Sequence, residues 1–181
     1  MCIASLIGEK MFNLAELIEK DFFKVLANTD YEWIYSLIMS FNSANVDQFL
    51  NMMNKYADRI KQHKVLSSQV DFLQVKIRIA ALLDLVFQKN KNERVLYYGE
   101  IAVNCLCDLD KIEFLLIKAL SLGLIKGHID EVESKLVVNW IQPKYLDREK
   151  IVVLHDRLDH WIQKSSKVLG NFQETAAVLL N

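Results

Sequence analysis

A single proline, Pro143, stands among 181 residues, and five glycines are scattered one by one. Helices therefore run with few of their usual interruptions, and no glycine-rich loop exists to cradle a phosphate. Cysteine is scarce too. Cys2, Cys105 and Cys107 are odd in number and too few for a disulfide scaffold, so reduced thiols in the cytoplasm or nucleus are expected. No apolar run approaches the length of a membrane span, and the opening MCIASLIG lacks the basic stretch of a signal peptide, so no membrane partner is expected. Neither sign of charge dominates: a formal net charge of -1 gives no reason to expect an anionic partner.

What the chain has in quantity is apolar residues, 52% of the total, enough for a substantial core. Cys2 to Ile7 is largely apolar and enters without a cap, as though the chain were cut from something longer. Three helix starts follow, Asn13 with Glu16, Thr29 with Glu32 and Asn45 with Gln48, each spaced as a capping box. Behind them apolar residues keep helical spacing: Leu14, Leu17, Ile18 and Val25; then Ile34, Leu37, Ile38 and Phe41; then Phe49, Met52, Met53, Tyr56 and Ile60. Short polar connections make neighbours antiparallel, as in stacked helical hairpins at the end of a solenoid. Lys55, Arg59, Lys61 and Lys64 are the one basic concentration, read as cations at a helix C-terminus on a solvated face. From Ser67 to Phe87 the helix carries two apolar stripes, so it is buried from two sides.

After a polar loop, Arg94 to Tyr97 reads as a short strand and Glu100 to Leu106 as a helix. Asp108 can cap the next helix, whose apolar face is Ile112, Leu115, Leu116, Ala119 and Leu120 and whose end falls near Gly123. Leu124 to Ile129 and Leu136 to Ile141 then form a hairpin. In its second strand Leu136, Val138 and Trp140 are expected on one face, and Val137, Asn139 and Ile141 on the other. Helix, tight turn and two-stranded ribbon read as a winged helix. Winged helices often bind nucleic acid, yet 108–142 holds four lysines, no arginine and six acids. An acidic helix and wing repel a phosphate backbone, so nucleic acid is not the expected partner. The strand Leu136 to Ile141 is instead expected near a sheet edge, offering Val137, Asn139 and Ile141 to a partner.

Chemistry is not visible. His63, His128, His155 and His160 show neither an H-E-x-x-H spacing nor thiols in zinc-ribbon spacing, so no metal and no cofactor is expected. Cys105 with His128 could in principle make a nucleophile pair, but a buried structural thiol is the simpler reading. No small-molecule substrate is implied. In the tail, Asp147 can cap a helix in which Ile151, Leu154, Leu158, Trp161, Ser165, Val168, Phe172, Thr175 and Leu179 recur at spacings of three and four. This seam is wider than one packing surface requires. Leu158, Trp161, Val168, Phe172 and Leu179 are therefore expected to meet a partner, against the alternative that the stripe folds back on its own domain, and Gly170 with Asn171 marks where the helix could bend.

The runs YEWIYSLIMSFN, FLQVKIRIAALLDLVF, YGEIA and FLLIKALSLGLIKGHIDEVESKLVVNWIQP resemble the PCI module of subunits of the proteasome regulatory-particle lid. ALSLGLIKGHIDEV with NWIQP is the most specific part, and the similarity runs from about Gly8 to the C-terminus. Gly99, where a polar or acidic residue is common, and Gly170 depart from the pattern. The resemblance implies a mainly α chain: helical-repeat hairpins over 1–66 that end a longer solenoid, a winged helix with a small antiparallel sheet over 67–143, and a C-terminal assembly helix over 144–181. It implies a non-catalytic scaffold whose partners are other PCI subunits of the lid, in ubiquitin-dependent protein degradation. The alternative is a winged-helix subunit of a related complex, a signalosome or translation initiation factor, with nucleic-acid association.

Overall fold

Helices carry the first half of the chain: α1 (Cys2–Ile7), α2 (Ala15–Glu19), α3 (Asp21–Val25), a 3-10 turn (Leu26–Asn28), α4 (Glu32–Asn42), α5 (Val46–Lys55), α6 (Ala57–Gln62), α7 (Lys64–Ser67) and the long α8 (Val70–Gln88). A strand β1 (Val95–Tyr97), helices α9 (Tyr98–Cys105) and α10 (Leu109–Ser121), and strands β2 (Ile125–Asp130) and β3 (Lys135–Ile141) follow, before a last helix α11 (Arg148–Leu179). The computed structural model describes residues 1–89, 94–142 and 148–179. Met1–Lys144 forms one unit and Tyr145–Asn181 a second. The architecture is mainly helical with a small antiparallel sheet and a C-terminal helix, as the sequence implied.

The expected helix starts are realised unequally. Asn45 accepts a hydrogen bond from the Gln48 backbone N–H at 3.0 Å and caps α5. Asn13 and Thr29 instead accept from Ala15 and Tyr31, two residues on, and make turns ahead of α2 and α4, whose N-caps are Leu14 and Tyr31. The single helix expected behind Asn13 breaks where Lys20 turns extended, which leaves Val25 exposed and gives its core place to Phe23. The helix behind Asn45 likewise breaks at Tyr56. Arg59 of the basic cluster donates to the Asp30 carbonyl at 2.7 Å, tying α6 to the loop before α4.

α8 is the axis of the first unit. Leu73, Ile77, Ile79, Leu82 and Val86 are all buried, and so is Lys76, at 1% exposure. The Lys76 ammonium donates to the carbonyls of Leu6 (2.6 Å), Gly8 (2.8 Å) and Ser5 (3.4 Å) at the C-terminal end of α1, where carbonyls run out of helical partners; that of Gly8 also accepts from the Met11 N–H at 3.2 Å. The rings of Phe12 and Phe41 lie 5.5 Å from the same nitrogen and that of Phe72 lies 6.0 Å from it. Three donors meet three acceptors inside an aromatic wall, which is how a charge persists in a core. Burial still pushes its pKa down to about 8, so the ammonium is the dominant form at neutral pH. The apolar stripes expected of α8 do not mark this residue as buried.

The sheet has the order β1-β3-β2, antiparallel throughout. Lys126 pairs with Trp140 but Gly127 pairs with Val138, so Asn139 is an extra residue and β3 carries a bulge. Glycine is required opposite it, because a Cβ at Gly127 would stand 2.0 Å from the Val137 carbonyl oxygen. The wing docks through buried Leu124, Ile125, Leu136 and Val138. Gly123, at φ +70, ends α10 in the left-handed conformation.

Candidate protein-interaction surfaces

β3 is the central strand, not an edge, which corrects the expectation from sequence. Val137 is half-buried between Val95 of β1 and His128 of β2. Because the bulge at Asn139 reverses the alternation, Trp140 turns outward beneath Lys126, 5.0 Å away, while Ile141 packs against the core. Ile141 also lines a cavity of about 270 Å³ with Phe12, Phe41, Phe87 and Leu124. Of the three wing residues expected at an interface, Asn139 alone is exposed. β1 covers only Lys135, Leu136 and Val137, so among the described residues no strand flanks Asn139, Trp140 and Ile141 on that side.

α10 presents a face that the sequence reading passed over. Its inner stripe, Ile112, Leu115, Leu116 and Ala119, is buried as expected, yet Leu109, Phe114 and Ile117 are about 60% exposed. The available signal was Phe114 and Ile117 lying three apart outside the stripe. Asp108 does not cap this helix through its side chain; its carboxylate binds the Lys111 ammonium at 2.8 Å, which holds the Asp108 pKa below its ordinary value. Around the buried hydroxyl of Tyr98 stand Glu113, Glu131 and Asp130, whose negative charges add to burial in raising its pKa. Lys135 reaches Asp130 at 3.5 Å and contacts Glu133 closely. Glu113 and Glu131 have no basic partner among the described residues.

In the second unit α11 runs unbroken from Arg148 to Leu179, through Gly170 and Asn171, about 48 Å at 1.5 Å per residue. Leu158, Trp161, Val168 and Phe172 are all exposed, Trp161 at 66% and Phe172 at 70%, and Ile151, Leu154, Ile162 and Leu169 join them. The backbone of Leu179 closes the helix; its side chain, and Asp147, lie outside the described residues. The stripe is exposed rather than packed in a core, which makes it a candidate interaction surface.

Cys105 is fully buried and its thiol is pushed up to about 12, first by burial, so it supplies no thiolate near neutral pH. Among the described residues no three His, Cys, Asp or Glu side chains are grouped to hold a metal ion, and no helix is long and apolar enough to cross a membrane.

Two family descriptions match the chain: PSD13 N-terminal repeats over residues 1–38 and PCI domain over residues 53–140. The chain is 31% identical over 169 residues to the 26S proteasome non-ATPase regulatory subunit 13 of Dictyostelium discoideum, covering 93% of this chain and 44% of that one. It is 33% identical over 174 residues to the probable 26S proteasome regulatory subunit rpn9 of Schizosaccharomyces pombe, covering 96% and 44%. A more distant relative, the eukaryotic translation initiation factor 3 subunit M of Nematostella vectensis, is 26% identical over 140 residues, 77% of this chain and 35% of that one. The chain thus spans less than half the length of the curated relatives it matches.

Proposed function

The chain belongs to the PCI-domain family of proteasome regulatory subunits that includes 26S proteasome non-ATPase regulatory subunit 13, and from that premise we propose that it is a non-catalytic scaffold of the regulatory-particle lid. It acts in ubiquitin-dependent protein degradation, in cytoplasm and nucleus, by holding neighbouring PCI subunits through its winged helix and α11. The observation that carries this reading is α11, whose 32 residues expose Leu158, Trp161, Val168 and Phe172. Covering such side chains with a partner helix releases roughly 1.5–3 kcal/mol for each one fully buried, enough in sum to order and hold a shared helical bundle. The wing supplies a second contact at Asn139, where β3 extends beyond β1.

Removal of residues 167–181 tests it. The Met1–Lys144 unit should stay folded while incorporation into the lid is lost, with Phe172→Asp reproducing much of the defect. Native gels showing normal lid assembly without those residues would sink the proposal. The rival reading, a subunit that associates with nucleic acid, requires salt-dependent binding to duplex DNA or RNA, which the acids of α10 and the wing oppose.

A further inference from the structure

The outer face of α10 goes beyond the two contacts proposed above, and its use rests on the same assembly role. Leu109, Glu113 and Ile117 follow at intervals of four, with Phe114 beside Ile117, so an apolar ridge and a carboxylate share one line about two turns long. In a winged helix that reads nucleic acid this is the helix that enters the major groove, and its outer face carries basic and polar side chains. Here the nearby cations are engaged elsewhere. Lys111 is held by Asp108, Lys135 by Asp130 and Glu133, and Lys118 leans on the rings of Phe72 and Phe114, 5.9 Å from each. Glu113, on the helix beside Phe114 and Ile117, and Glu131 of the wing, which meets it at the Tyr98 hydroxyl, have no basic partner among the described residues.

We propose that this face docks an amphipathic helix of a neighbouring subunit, whose apolar residues cover Phe114 and Ile117 and whose lysines or arginines meet Glu113 and Glu131. A helical partner fits because two helices pack by setting side-chain ridges into grooves at the three- and four-residue spacing shown here. A basic rim fits because these carboxylates would otherwise be desolvated without a counter-charge.

The full chain carrying a benzophenone side chain at position 114 can be assembled into the regulatory particle and irradiated. The crosslink should map to a helix of a neighbouring subunit with Lys or Arg within one turn of the attached residue. Phe114→Asp and Ile117→Asp should each reduce incorporation by about 30-fold, the size of a central interface anchor. Phe114→Ala, which adds no charge, should act in the same direction, and circular dichroism should show each variant as helical as the parent. Entry of the parent chain with no crosslink from position 114, or a crosslink to an acidic segment, a strand or RNA, overturns the α10 proposal and leaves the scaffold reading standing. So does unimpaired entry of all three variants. Failure of the parent chain to enter the particle sinks both.

Discussion

Lys76 shows how one side chain can contradict the pattern around it. It sits inside the apolar stripe of a helix buried on both sides, and no residue near it in sequence offers a counter-charge; its acceptors are carbonyls some seventy positions earlier. Such long-range pairing is invisible to periodicity. Lys76→Met keeps the stem and removes the ammonium, which takes the donor from the Leu6 carbonyl and leaves that of Gly8 with the Met11 N–H alone. We expect a loss of about 3 kcal/mol in urea unfolding, with faster amide exchange concentrated in α1. The sign of the pH dependence follows from the depressed pKa. A lysine that titrates near 8 when folded and 10.5 when unfolded contributes stability that is fully present above 10.5 and lost as pH falls through 8. Cys105 has the opposite sign, since a thiol raised from 9.0 to about 12 contributes stability that is complete below 9 and lost as pH rises through 12. Between pH 8 and 9 the parent should therefore gain about 1 kcal/mol relative to the Lys76→Met variant. The Met variant, which keeps Cys105, should fall by a few tenths of a kcal/mol over that interval, and equal slopes would refute the assignment.

At the scale of elements, sequence pattern located the longer helices α4, α8, α9, α10 and α11 and both wing strands, because burial imposes period and the period survives in the residues. It failed where one backbone event reverses a face. Alternation along β3 predicts Trp140 inward and Ile141 outward; the extra residue at Asn139 does the reverse, and the residue that permits it, Gly127, lies on the other strand. Sheet order was equally hidden, since a three-residue β1 carries too little pattern to announce that it covers β3. Val137→Pro should consequently disrupt the sheet itself, removing a backbone donor between two pairing strands, and lower overall stability rather than partner binding alone. Denaturation curves of the variant decide this, and an unchanged midpoint would restore an edge role. The tail behaves in the simpler way. A Cβ at Gly170 meets nothing within 4 Å, so Gly170→Ala should stabilise α11 by about 1 kcal/mol, seen as added helicity in a peptide spanning 148–179.

For the whole molecule the question is whether the repeat segment and the winged helix are two energetic units or one. Their sequence patterns differ, and the two matching families cover them separately, residues 1–38 and 53–140. Packing joins them: one core of buried side chains runs from Leu6 and Phe23 through α8 to Leu136 and Val138, and Lys76 fastens α1 to α8 across it. A shared core of this kind unfolds in one step, because exposing either half strips the other of its contacts. The three tryptophans are placed to test it, with Trp33 buried in α4, Trp140 on the wing and Trp161 on α11. Variants that keep one tryptophan and replace the others with Phe should give coincident urea transitions for Trp33 and Trp140. Trp161 should report no cooperative loss of burial, being exposed already in the folded chain. Separate midpoints for Trp33 and Trp140 would mean that the boundary near Ser67, drawn from sequence, is also a boundary in stability, and that α8 is a linker rather than the spine of one core.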